Sequence, residues 1–539
     1  MIISGKYIDV VNRRIFNSIL KIQDGIIKEV RETQDECMNY ILPGFIDSHI
    51  HIESSMVTPS AFAAEAVRHG TVATVSDPHE IANVCGKEGI EFMIKSGKRV
   101  PLKFYFGVPS CVPATAFETS GATIGSEDVD RMIKSDDFLY LSEMMNFPGV
   151  IYDDPDVIKK LNSAKAAGKK VDGHAPGLSG KDLTKYIQAG ISTDHECSTL
   201  EEASEKIAGG MKVLIREGSA ARNLDNLKYL IKTNADMVML CSDDLHPEML
   251  INGHINRLVR KLICEGYDLF DVLRTATLNP ILHYGLGTGV LREGDPADFI
   301  IVDDLFKLNV LETWIDGVQV FGNNKVNFSP APEEPVNVFN CDSIQEEDLI
   351  IRRGGNKFRV IDAIEGELLT HEIIAGAGDC KFMESDTEND YLKIIVKDRY
   401  QNKPLQIGFI KGFKLKNGAF ASSVAHDSHN IICVGSNNID ILSAANKVIA
   451  MQGGLSASLN GQVSSLQMGI GGIMSTDTCQ NTAEQYEKLN NIVRNMGCTM
   501  KAPFMTLAFM ALLVIPELKI GDRGLFDVRS FKPVPLFLK

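Results

Sequence analysis

Two histidines two residues apart, His49 and His51, close an apolar stretch that begins near Pro43. Side chains alternate along a strand, so both imidazoles project to the same side. Neutral imidazoles ligate Zn, Fe or Mn, and two on one side supply half of a metal site. An H-x-H pair on its own is weak evidence. Its weight comes from groups further along the chain: Glu143, His174, His195 and the pair Asp243-Asp244, each at the end of a short strand-like run. Charged and ligating groups at such positions are seldom left without a partner or a metal.

The elements that must carry these groups alternate in type. Strand-like runs are expected at 40–46, 71–75, 103–108, 138–141, 170–171, 190–192, 211–215 and 237–240, with helix-length segments between several of them, such as 59–69, 88–95 and 156–167. Eight strands, each followed by a helix or long loop, predict a (β/α)8 barrel. Barrel enzymes keep their sites at the C-terminal ends of the strands. All the groups above fall there.

Short β segments precede the barrel, at 1–4, 7–9, 15–22 and 26–30, with Gly5 and Asp24-Gly25 as turn signals. After a helix near 267–278, β-character returns at 299–302, 310–315 and 318–321. The expected organisation is an α/β chain with a TIM-type barrel (41–286) inserted in a split β-sandwich (1–40 and 287–330). A proline-rich linker at 327–337 leads to a C-terminal α/β domain (338–539).

The formal net charge of −15, without any basic cluster, argues against nucleic acid as a partner and favours a small neutral or cationic substrate. The longest apolar run, 504–515, is shorter than a membrane span and reads as a buried helix or a subunit contact. The Met1 end has no basic patch and apolar core of a secretory signal, and the eleven cysteines form no regular framework. A cytoplasmic chain with reduced thiols is expected.

The H-x-H pair, a strand-4 carboxylate, two single histidines and a strand-8 Asp together resemble the amidohydrolase superfamily. Within it, TVSDPHE (74–80), LSEMMN (141–146), DGHAP (172–176), TDHE (193–196), REGSAA (216–221) and CSDDLH (241–246) resemble the adenine deaminases. So do AHDSHN (425–430) and MGIGG (468–472) in the C-terminal region, which extends the resemblance over nearly the whole chain.

The resemblance implies two divalent metal ions, Mn or Fe, with Zn as the alternative. His49, His51 and Asp243 would hold one ion and His174 and His195 the other. Glu143 would bridge them, in the place where many superfamily members use a carbamylated lysine. Asp243 would act as the base toward the nucleophilic water. A second acid for the purine ring is expected among Asp77, His79, Glu80 and Asp244. Glu80, Arg216, Glu217 and Ser219 are expected near the base, with His426 and His429 reaching in from the C-terminal domain. Cys241, two residues before Asp243, is expected to pack within its strand. The implied reaction is hydrolysis of adenine to hypoxanthine and ammonia by a homo-oligomeric enzyme. The alternatives are another amidohydrolase acting on a cyclic amide or an N-acetyl sugar, or a relative that lost catalysis and serves assembly.

Overall fold

The computed structural model describes residues 1–330, 332–365, 367–378 and 381–538. The chain opens with an antiparallel meander of Ile2–Asp9, Arg14–Gln23 and Ile26–Glu32. Asp24 and Gly25 make the expected turn, both in the left-handed region. Gly5 does not turn the chain, because it lies inside the first strand. A Cβ there would come within 2.5 Å of the Ile41 side chain, so the glycine serves close packing.

Expected strand 40–46 is in fact two strands. Tyr40–Pro43 belongs to the N-terminal sheet, and Phe45–Ile50 is the first strand of the barrel. The break falls at Gly44, where a Cβ would stand 2.2 Å from Val72. Tyr40–Pro43 pairs with Phe299–Val302, which brings Val310–Ile315, Val318–Gly322 and Lys325–Val326 from beyond the barrel into one eight-stranded sheet. The sheet curls until Ile26 bridges Pro296, and Phe299 stacks on Trp314 inside the fold.

The other barrel strands are Thr71–Ser76, Lys103–Val108, Tyr140–Met144, Lys170–Gly173, Thr193–Asp194, Lys212–Arg216 and Val238–Cys241. All pair in parallel. A bridge from Val171 to Ile191 and another from Ile50 to Asp243 join the two arcs into a closed ring. Expected strand 190–192 lies a step later, at Thr193–Asp194, because Gly190 turns the chain with φ 103 and the following residues form only the bridge. Cys241 is fully buried in its strand, as expected. Ten of the cysteines are free, and Cys380 lies outside the described residues.

The C-terminal domain is built on a nine-stranded mixed sheet, with the helix Asn438–Ala450 against it and a three-stranded sheet near the end. It is fastened to the barrel by buried polar contacts. Ser428 donates to Glu118 (2.6 Å), Thr119 donates its N–H to Asp522 (2.9 Å), and His246 pairs with the Tyr486 hydroxyl (3.0 Å). One apolar core runs without interruption from the barrel into this domain. The run 504–515 is helical only over Pro503–Phe509 and turns thereafter, but most of it is buried. No helix among the described residues is long and apolar enough to cross a membrane.

Candidate active site

The barrel mouth holds a small cavity lined by His51, His79, Glu80, Glu143, His174, His195, Glu196, Arg216, Asp243 and Asp244 from the barrel. His426, Asp427, Leu368, Phe509, Leu512 and Val514 of the C-terminal domain form its other wall. Strand geometry explains the barrel half. Every residue of Phe45–Ile50 is buried, so the alternation of that strand places His49 inside the barrel and His51 at its rim. Beneath them Asp47 accepts from the Ser242 N–H (3.0 Å) and pairs with His254 (2.7 Å), which ties the first strand to the eighth. Asp243 turns with φ 57, a region that Asp and Asn tolerate better than most residues. Its N–H donates to His49 (2.9 Å) and its carbonyl accepts from His51 (3.2 Å), so the turn is stitched to the H-x-H strand.

Glu143 is the hub. One carboxylate oxygen lies 3.3 Å from Nε2 of His51 and 3.4 Å from Nδ1 of His79. The other lies 2.9 Å from Nδ1 of His174 and 3.1 Å from Nε2 of His195. Burial would raise this carboxyl, but His174, His195 and His51 together hold it well below the usual range. Asp243 likewise stays ionised against burial, through Arg216 (2.6 Å) and the nearby His49 and His51.

The donor set fits metal. Both ring nitrogens of His49 and Nε2 of His174 are buried without a hydrogen-bond partner among the described residues. Orphaned polar atoms of this kind cost free energy unless something takes their lone pairs. Three close-set groups of potential ligands share this mouth: His49, His195 and Asp243; Glu143, His174 and His195; and His51, Asp77, His79 and Glu143. Imidazoles and carboxylates without thiolates suit Mn, Fe or Zn.

Of the four candidate acids, His79, Glu80 and Asp244 line the cavity. Asp77 does not: it lies behind His79 and accepts from its Nδ1 (3.0 Å) and its N–H (3.1 Å). Asp244 is tied to Ser54 (2.5 Å). Glu80 is gripped from the C-terminal domain. His426 Nδ1 lies 2.6 Å from one oxygen, and His429 Nε2 bonds the other. Burial works against a charge on His426, but Glu80 carries it up to about 9, while burial pushes His429 down to about 4. Nδ1 of His429 accepts the Ala425 N–H (3.3 Å), so its proton sits on Nε2, facing Glu80. His429 itself does not reach the cavity.

Two expected residues lie elsewhere. Glu217 and Ser219 line no part of the cavity, because the chain turns away directly after Arg216. Ser219 accepts the His246 N–H (2.9 Å) instead. Arg216 is present, but its guanidinium is spent on Glu196 and Asp243. Glu196 and Asp427 were not singled out in the sequence, although they sit inside TDHE and AHDSHN. Leu368 carried no local signal, and Phe509 only that of the apolar run 504–515. Breaking the buried Arg216–Glu196 pair with Glu196→Ala is expected to lower stability by about 3 kcal/mol. Urea unfolding measures it, and an unchanged midpoint would show that the pair is not structural.

A closed barrel joined to a curled β-sheet, with imidazoles and carboxylates gathered at its C-terminal mouth, defines a barrel hydrolase of the amidohydrolase type. Residues 40–320 match the amidohydrolase family, and residues 367–532 match the adenine deaminase C-terminal domain. An adenine deaminase of Methanosarcina mazei is 52% identical over 99% of each chain. Those of Salinibacter ruber and Borreliella burgdorferi are 48% and 47% identical, over 99% and 98% of each chain. The chain belongs to the amidohydrolase family and, within it, to the adenine deaminases.

Proposed function

We infer that this chain hydrolyses adenine to hypoxanthine and ammonia, using two divalent ions, Mn or Fe, at the barrel mouth. The observation that carries the reading is the combination of near full-length identity to adenine deaminases with an intact ligand set around Glu143. His49, His51 and Asp243 would hold one ion, His174 and His195 the other, with Glu143 between. When bound, the ions supply a water made acidic enough to act as nucleophile at neutral pH.

The chain's own groups do the rest. Asp243, ionised beside Arg216, takes a proton from the nucleophile and returns it to the departing amine. The wall of His79 and Glu80 faces the purine ring; His79, which Asp77 and Glu80 hold protonated against burial, delivers the proton to the ring nitrogen next to the reacting carbon, while Glu80 stays ionised. His426, charged beside Glu80, and His429, neutral, lock that carboxylate in place through both of its oxygens. The apolar side chains Leu368, Phe509 and Leu512 exclude bulk water from the base.

Incubation of Mn- or Fe-loaded protein with adenine, adenosine, AMP and guanine, following ammonia, tests the activity. Adenine is expected to be the preferred substrate. Arg216, the one Arg or Lys among the described lining residues, is already neutralised, and the charged His426 is paired with Glu80, so nothing waits for a phosphate. AMP turnover comparable to that of adenine would overturn this reading of the pocket.

A further inference from the structure

The reaction cavity is narrow. Its free volume is about 30 Å³, room for water but not for a base, whereas ligand pockets span several hundred Å³. The barrel side of the cavity is held by ion pairs and strand ends. The other side is apolar apart from His426 and Asp427, and one of its members faces two ways. Phe509 lines the reaction cavity and also a second hollow of about 320 Å³. That hollow lies between the loop after the seventh barrel strand, at 219–222, and the Pro503–Phe509 helix. Two cations, Arg222 and Lys501, and two carboxylates, Glu365 and Glu367, stand around it. Such a balanced rim suits a neutral heteroaromatic base better than an anionic nucleotide.

The partition between the two spaces has an unusual support. Lys519 is fully buried, and its amine donates to the carbonyls of Leu368 (2.6 Å) and Phe509 (3.1 Å). Phe509 is the residue the two spaces share, and Leu368 lines the reaction cavity next to Glu367, which lines the second hollow. Burial alone pushes the amine down to about 7, and no acidic group is among the causes. The same frame is tied again by Thr370, which donates to the Leu518 carbonyl (2.8 Å), and by the Ile520 N–H on the Met510 carbonyl (3.0 Å). The Phe509 ring lies flat on His426, with centroids 4.7 Å apart, so moving Phe509 also uncovers a residue that grips Glu80.

We propose that the purine base reaches the reaction cavity through this outer vestibule, across a neck formed by Phe509 and Leu368 that Lys519 pins closed. The proposal rests on the adenine deaminase reading for the identity of the base, but not for the route. Lys519 is a positioning residue, since it touches neither base nor reacting atoms. Opening the neck admits the base and closing it restores the water-excluding wall.

The test uses the full-length, metal-loaded protein and 2-aminopurine, a fluorescent base whose binding is followed by stopped flow and displaced by adenine. Ala502→Trp and Ala220→Trp fill the vestibule without touching the reaction cavity. Each is expected to slow 2-aminopurine association at least tenfold, with metal content and thermal midpoint unchanged. Lys519→Met is expected to speed association several-fold and to lower kcat for adenine, because the neck no longer closes. A merely structural lysine would lower the midpoint without speeding association. Wild-type association rates in both tryptophan variants would overturn the route, whether or not Lys519→Met folds. A wild-type protein that binds 2-aminopurine but releases no ammonia from adenine would instead overturn the assigned activity and leave the route standing.

Discussion

Asp243→Asn is expected to lower kcat for adenine about a thousandfold while leaving the fold intact. The carboxylate stands between Arg216 and the H-x-H pair, at 2.6 Å from the guanidinium and 3.2 Å from His51. Asparagine keeps the shape and tolerates the left-handed backbone at this position, where φ is 57. The N–H to His49 and the carbonyl to His51 are backbone groups and survive the change. What is lost is the capacity to accept a proton and the negative charge facing the metal site. Ammonia release measures the loss, and circular dichroism with a thermal midpoint reports the fold. Activity within tenfold of wild type would remove Asp243 from the proton path.

Glu143→Ala is expected to be the more damaging change, reducing deamination to background and metal content below one ion per chain. A single carboxylate lies within 3.4 Å of nitrogens of four buried histidines. Without it His51, His79, His174 and His195 lose the one carboxylate that reaches all four of them. Metal analysis after gel filtration gives the stoichiometry. Retention of two ions in the folded variant would show that Glu143 is not a shared ligand. Glu143→Asp, one methylene shorter, is expected to recover part of the metal but little of the rate. The carboxylate then cannot reach both pairs of imidazoles at once.

Much of the site was legible in the linear order of residues because a barrel strand is a ruler. Period-two alternation turns His49 and His51 to one side, and the (β/α)8 arrangement brings every strand end to a common mouth, so Glu143, His174, His195 and Asp243 could be grouped without coordinates. The ruler fails where strands end. Asp77 and Glu80 are three residues apart after the second strand, yet one lies behind His79 and the other faces the cavity, because the helix His79–Gly97 begins between them. Glu217 and Ser219 adjoin Arg216 in sequence but leave the mouth in the turn that follows it. Local periodicity says nothing about the direction of a loop.

Alternation and the order of strands and helices predicted the barrel, and the resemblance of its motifs pointed to the family and implied the ligand set. These depend on short-range order: strand period, turn chemistry and the residue types that bind metal. Only the tertiary structure decided where the N-terminal sheet ends and the barrel begins, since Gly44 is a break only because Val72 stands against it. It also decided that Glu80 is held by two histidines more than 300 residues away, |i−j| being 346 and 349. The apolar run 504–515 carried only hydrophobicity in the sequence, and that property is the same for a core helix, a subunit contact or the wall of a site. Its meaning came from packing: Phe509 lies on His426, Lys519 holds its carbonyl, and the run closes the barrel mouth. Contacts between segments so distant in the chain leave no period in either one, so no reading of one segment alone could have revealed them.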